Sequence, residues 1–218
     1  MEILEIKDLE TLAKKRVPKM FFDYVNSGSW TETTYNENVS DFQKIKLRQR
    51  VAIDMSNRTL ETKMINQPVS MPVAIAPTGL TGMQRADGEI LAAQAAEEFG
   101  IPYTLSTMSV CSIEAVAEKT KKPFWFQLYV MKDKKFMERL IDRAKEAKCS
   151  ALVLTLDLQL LGQRHKDLRN GLSTPPKLIP KHIYQVLTRP MWCLRMLTTK
   201  NHFFGNIVGH VKGIKDVR

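Results

Sequence analysis

The sequence predicts an α/β protein with parallel strands, on two observations. Four short apolar runs lie between Met71 and Asp157, and helical stretches of roughly ten to fifteen residues separate them. The runs are nearly continuous in apolar residues, as strands covered on both faces are. The first seventy residues read as helices and loops, with Asp8 expected to cap a helix through Lys15 and Pro18 placed where a second would start. The first run, PVAIAP, leads through the turn TGLTG to a helix over Asp87–Phe99, which Gly100 ends with Pro102 just beyond. A strand over Tyr103–Ser106 precedes a helix from about Ser112 to Lys119, where Ser112 gives an approximate cap. A strand over Pro123–Tyr129, an amphipathic helix over Asp133–Ala147 and a strand over Ala151–Asp157 complete the series.

Four such units fit either a doubly wound sheet or half of a (β/α)8 barrel. No GxGxxG turn follows any strand, which weighs against a dinucleotide-binding doubly wound fold. A complete barrel needs about 250 residues and eight strands. On that reading these 218 residues hold its first half. Three segments follow: residues 1–70, helical; residues 71–158, the four β/α units; and residues 159–218, a long excursion without strand periodicity.

The composition, 44% hydrophobic and 26% charged, is that of an ordinary globular protein. The amino-terminal stretch has no continuous apolar region of the signal-peptide kind, and no apolar run is long enough to span a bilayer. Cys111, Cys149 and Cys193 lie too far apart for a disulfide framework or a zinc site and fit a reducing compartment. The net charge of +10 is concentrated in the excursion, which holds eleven of the 33 Lys/Arg but only two of the 23 acidic residues. Tyr184, Trp192, Phe203 and Phe204 sit among those basic residues. That mixture suits a segment lying on anionic lipid; single-stranded nucleic acid and plain solvent also fit, though no nucleic-acid-binding fold accompanies it.

Barrel enzymes bind ligands at the carboxyl ends of their strands. Here each strand turns from apolar to polar at that end: Pro77-Thr78-Gly79, then Ser106-Thr107, then Gln127-Leu128-Tyr129, then Thr155-Leu156-Asp157. Four such endings form a mouth suited to a flat heterocycle with many hydrogen-bonding edges. The runs PVAIAPTGLTGMQRADGEILAAQAAEEFGIPYTLST, FWFQLYV and LTLDLQLLGQRHKDLRNGL, with DYVNSGSW before them and GNIVGHVKG after, resemble the FMN-dependent α-hydroxy-acid dehydrogenases and oxidases. The likeness covers essentially the whole chain and is greatest to the bacterial L-lactate dehydrogenase branch, of which this would be the N-terminal part.

That resemblance implies FMN as cofactor and a (β/α)8 barrel. It places Pro77, Thr78 and Gly79 against the flavin ring and has Ser106, Gln127 and Thr155 hydrogen-bond it. Tyr24 and Tyr129 match tyrosines that meet the substrate, and Arg164 matches a residue that attracts its carboxylate. Met108 stands where glycolate-oxidase-type members carry tryptophan, leaving a differently shaped substrate mouth. The family's base is a histidine in an HGGR motif; none of His165, His182, His202 and His210 precedes Gly-Gly-Arg, and His165 reads as a loop histidine. The lysine near flavin N1, the carboxylate arginine and the loops that hold the FMN phosphate likewise have no counterpart. The implied reaction takes a small 2-hydroxy acid such as L-lactate to the 2-oxo acid and passes electrons to a quinone or cytochrome. The implied setting is peripheral on the cytoplasmic face of the cell membrane, with residues 159–218 on the anionic surface, no nucleic acid, and a homo-oligomeric full-length protein. An inactive flavin- or membrane-binding remnant and an oxidase using O2 are the alternatives. Uncovered strand edges predict that the chain alone is unstable or self-associating.

Overall fold

The computed structural model describes residues 2–157, 160, 162–172 and 179–209; His210 and parts of the basic excursion lie outside the described residues. Helix α1 (Ile6–Arg16) is capped by Glu5 rather than by Asp8. Asp8 stands three residues inside, where its carboxylate accepts the amides of Leu4 and Glu5 at 2.8 and 3.0 Å. The two acids thus form a reciprocal capping pair, which the Asp8-first reading missed by one turn position. Pro18 opens α2 (Lys19–Val25) as expected, and α3 (Thr33–Ser40) follows.

A hairpin not foreseen in the sequence comes next, β1 (Thr62–Met64) with β2 (Gln67–Val69), turning through Ile65 and Asn66. Both turn residues have positive φ, the geometry of a tight two-residue hairpin, which Asn tolerates and a β-branched Ile does not favour. Trp125 Nε1 donates to Gln67 Oε1 at 3.4 Å, which seats the hairpin at the amino ends of the parallel strands, away from the polar mouth.

The β/α alternation is present, with one correction. The expected first strand PVAIAP is reduced to a single parallel bridge between Ile75 and Tyr103. Ile75 donates to the Pro102 carbonyl at 2.9 Å and accepts from Thr104 at 3.1 Å. Pro72 and Pro77 flank it without N–H groups, so the ladder cannot extend. Then come α4 (Thr81–Gln84), α5 (Gly88–Phe99), β3 (Thr104–Ser106), α6 (Ile113–Lys119), β4 (Trp125–Tyr129), α7 (Lys134–Glu146) and β5 (Ala151–Thr155). Strands β3, β4 and β5 pair in parallel in that order. Ser112 and Asp133 cap their helices through side-chain oxygens, and Gly100 ends α5 in the left-handed region.

The core lies between this sheet and its helices. Leu105 and Phe126 on the strands meet Ile113 and Val116 of α6 and Phe136 and Leu140 of α7, all essentially inaccessible. Phe136, Leu140 and Ala144 recur every four residues, so α7 buries one stripe. Each large side chain so buried contributes about 2–3 kcal/mol. Among the described residues β5 pairs with β4 alone, and Leu152, Leu154 and Leu156 on and beyond it are exposed.

Beyond β5 the described part of the excursion contains three helices: α8 (His165–Asn170), α9 (Pro180–Leu187) and α10 (Pro190–Thr198). Pro180 and Pro190 occupy first-turn positions, a start signal that the search for strand periodicity passed over. The helices dock onto the amino-terminal ones. Met20 donates its amide to Gln185 Oε1 at 2.9 Å, and Trp192 stacks on Phe21 at 5.7 Å while its indole N–H donates to the Met83 carbonyl at 2.8 Å. The chain then returns to the barrel: Asn206 and Ile207 are buried, and Phe204 packs on the core. Among the described residues no helix is long and apolar enough to cross a membrane.

Candidate flavin and substrate site

In-register parallel pairing decides what meets at the strand ends. Ser106 lies opposite Gln127, and Tyr129, two residues further on, lies opposite Thr155. Ser106 Oγ donates to Gln127 Oε1 at 3.2 Å, and Gln127 Nε2 donates to Thr155 Oγ1 at 2.6 Å. The three expected flavin-contacting side chains therefore form one row across β3, β4 and β5. Thr107 braces it: its hydroxyl donates to the Gln127 carbonyl at 2.6 Å and accepts the Tyr129 amide at 3.3 Å. Gln127 is buried, which holds its amide in one orientation.

Pro77, Thr78 and Gly79 run alongside the end of β3, held where Leu80 donates to the Met108 carbonyl at 3.1 Å and the Thr81 hydroxyl to the Thr78 carbonyl at 2.9 Å. Pro77 is exposed and Thr78 half-buried. Gly79 is a close-approach position: a Cβ there would lie 3.0 Å from the Tyr24 hydroxyl and 3.4 Å from Met108 Cβ. The turn between the first strand run and its helix, Tyr24 of α2 and Met108 thus converge.

The Arg164 guanidinium lies 4.7 Å from the centre of the Tyr24 ring. It donates to the Tyr24 carbonyl and, at 2.7 Å, to Ser27 Oγ, and its Nε is 3.1 Å from Asp167 Oδ2. Arg164 is therefore held on the chain by three partners that sequence reasoning did not name. Burial pushes the Tyr24 phenol up, only partly offset by Arg164. Burial also pushes Tyr129 up, with smaller contributions from the nearby Tyr24 and Asp157. Both phenols are thus shifted in the same direction, and they lie close enough to feel one another. Asp167 is raised too, by burial first, against the pull of Arg164.

Among the described hydrogen bonds none joins His165, His182 or His202 to the Ser106–Gln127–Thr155 row. His182 is buried with Nε2 2.6 Å from the Asn170 carbonyl, a structural role. His165 opens α8 and His202 is exposed. Asn206, which sequence reasoning also missed, accepts from Ile113 N at 2.9 Å and donates to Ser109 Oγ at 2.9 Å and the Ser106 carbonyl at 3.4 Å, supporting β3's end from below. Its signal was the GNIVG run, quoted for resemblance but assigned no role.

The donors present suit a flavin. Among the described hydrogen bonds, one N–H of Gln127 and the Thr155 hydroxyl hydrogen are not committed. A ring edged with nitrogen and carbonyl oxygen is what such a row can read.

A family model described as FMN-dependent dehydrogenase matches residues 13–216. The L-lactate dehydrogenase of Acinetobacter baylyi is 44% identical over 220 residues, covering 99% of this chain and 57% of its own length. The chain thus spans little more than half the length of the curated relatives it matches. Among solved structures, the monotopic membrane protein (S)-mandelate dehydrogenase superposes with a TM-score of 0.89 at 30% identity, over 99% of this chain and 58% of that one. A soluble mutant of the membrane-associated (S)-mandelate dehydrogenase from Pseudomonas putida gives 0.76 at 35%, over 84% and 52%. The architecture is accordingly the first half of a (β/α)8 barrel. With a match running nearly end to end and a hydroxyl-and-amide row at the strand ends, the assignment is plain: this chain belongs to the family of FMN-dependent dehydrogenases, enzymes whose cofactor is FMN.

Proposed function

We propose that the protein represented by this chain oxidises a small 2-hydroxy acid, L-lactate foremost, to the 2-oxo acid, and hands the electrons to a quinone or cytochrome at a membrane. The observation that carries this reading is the Ser106–Gln127–Thr155 row at the strand ends, with Tyr129 paired in register with Thr155 and close enough to Tyr24 for the two phenols to interact. FMN, when bound, supplies the two-electron acceptor. The row would hold the flavin ring edge, with Pro77–Gly79 backbone against it. The Tyr24 and Tyr129 hydroxyls would donate to the substrate's carboxylate and hydroxyl oxygens. Arg164, stacked on Tyr24, would add positive potential there, its Nη2 already committed to Ser27 and the Tyr24 carbonyl. The base that takes the hydroxyl proton is not assigned to any of the four histidines in this sequence.

Membrane association is supported by α9 and α10. Tyr184, Leu187, Leu194, Leu197 and Phe203 are all more than half exposed, interleaved with Lys181, Arg189 and Lys200. An apolar face with basic flanks suits the interface of an anionic leaflet. The fuller match to the monotopic protein than to the soluble mutant, 99% against 84% of this chain, agrees. Two expected membrane aromatics have other partners, Trp192 on Phe21 and Phe204 on the core.

The test is FMN titration of the purified chain, following flavin fluorescence, with Gln127→Leu as comparison. Saturable quenching in the parent, lost in the variant, is expected; equal behaviour of the two would sink the site. L-lactate is then added without oxygen. Bleaching of bound flavin indicates the enzyme, and bound flavin that stays oxidised favours the second reading, a flavin-binding module. Hydrogen peroxide formed in air would mark an oxidase.

A further inference from the structure

Three arginines from distant parts of the chain converge beside α10. Arg16 at the end of α1, Arg85 after α4 and Arg195 of α10 line one cavity of about 180 Å³ together with Ala86, Met191 and Trp192. Among the described residues none of the three forms an ion pair with a carboxylate, although Lys19, Arg143 and Arg164 each do. The cluster is therefore an uncompensated concentration of positive charge, and Arg85 is pushed down by burial and then by the charges of Arg195 and Arg16. One wall is rigid: Trp192 is fixed by its bond to the Met83 carbonyl and its stack on Phe21.

The chemistry that answers this arrangement is a phosphate. Planar guanidinium groups pair with its oxygens in bidentate fashion, and several can share one tetrahedral anion. At about 180 Å³ the cavity is on the scale of one phosphate group with its waters. Its position decides the source. Met191, a cavity wall, is 60% exposed, and Leu194 and Leu197 continue the exposed apolar face along the same helix. A ligand seated on the arginines can thus extend acyl chains along that face.

We propose that the Arg16–Arg85–Arg195 cavity binds the headgroup phosphate of an anionic phospholipid and so fixes how the protein sits on the membrane. The inference rests on the membrane reading above and adds a defined lipid site to it.

Flotation of the full chain with phosphatidylcholine vesicles containing phosphatidic acid tests it, comparing R16Q/R85Q/R195Q with the charge-matched K181Q/R189Q/K200Q. Both lose general attraction to the surface. The arginine variant is expected to lose at least about tenfold more binding, because it also loses charge-assisted hydrogen bonds. Equal losses would overturn the site while leaving the membrane reading intact. Soluble dihexanoyl phosphatidic acid and inorganic phosphate are titrated in parallel, read by tryptophan fluorescence. Arginine-dependent binding of the lipid, at least tenfold tighter than phosphate, supports the proposal, and equal affinities would assign the cavity to a free anion and overturn the lipid assignment. Failure of the parent to float on any vesicle, with arginine-dependent lipid binding retained, would sink the membrane reading alone. Should the triple variant not fold, R195Q against K200Q makes the same comparison.

Discussion

Replacing Asn206 by alanine should cost far more stability than its place in a basic, polar tail suggests. The side chain is fully buried, and its Oδ1 accepts the amide of Ile113, the first residue of α6. That amide is one of the donors a helix start leaves unpaired, and the Ser112 hydroxyl already serves Ala115. In N206A it is stranded, at about 1–3 kcal/mol, and loss of the bond to Ser109 adds about 1 kcal/mol. Arg143 is less affected, because it keeps Glu114 and the backbone carbonyl of residue 206. The total is roughly 2–4 kcal/mol, and for a chain of this size each kcal/mol moves the melting temperature by about 2–4 °C. A fall of roughly 5–15 °C is therefore expected in a thermal melt followed by near-ultraviolet circular dichroism in mild detergent. Asn201→Ala is the control: its amide shares Asp87 Oδ1 with Thr199, so its loss should cost below about 1 kcal/mol. If N206A melts within about 2 °C of the parent, or no lower than N201A, then residues 199–208 do not dock on the barrel as described.

Glu114 is held at about 2 by its bidentate pair with Arg143, below the ordinary carboxylate range. A depressed carboxyl stabilises the fold above its unfolded value and loses that contribution as pH falls from about 4.5 toward 2. Because its side chain is 56% exposed, the effect is small; E114Q should flatten the melting temperature's dependence on pH across that window, and an unchanged profile would refute the linkage. Leu152→Lys with Leu154→Lys, both on the exposed face of β5, should reduce self-association in light scattering while lowering the melting temperature by no more than about 2 °C. Trp192→Phe should keep the stack on Phe21 but lose the bond to Met83, costing about 1 kcal/mol by urea denaturation, whereas a loss above about 3 kcal/mol would show that more than that bond holds α10.

How much of the fold was legible depended on whether its causes are local. Gly100 and the caps at Ser112 and Asp133 act within one turn, and each lies where the residue pattern puts it. Strands β3 to β5 begin one or two residues late or end early but occur in the expected order. PVAIAP failed as a strand because apolar alternation says nothing of backbone donors, and two prolines remove them at its ends. The hairpin at Ile65–Asn66 escaped because its first turn residue is β-branched, the opposite of what a tight turn advertises.

The site divides along the same line. Ser106, Gln127 and Thr155 were readable because parallel strands convert position at a strand end into position in space, so three separate segments yield one row. No such rule relates Arg164 to Ser27 and the Tyr24 carbonyl, 137 and 140 residues away, or Asn206 to Ile113. The basic excursion shows the consequence most clearly. Counting charges located the excess but treated residues 159–218 as one surface. Folding sorts that segment by face: Gln185, Trp192 and Asn206 turn inward to α2, α4 and α6, while Tyr184, Leu187 and Leu197 turn outward. A residue's composition class could not make that distinction, because the inward set includes an indole and two amides and the outward set is mostly aliphatic. The partners waiting on the barrel decide it: a buried amide or indole is retained where its hydrogen bond is met, and the apolar side chains left without such a seat form the outer face.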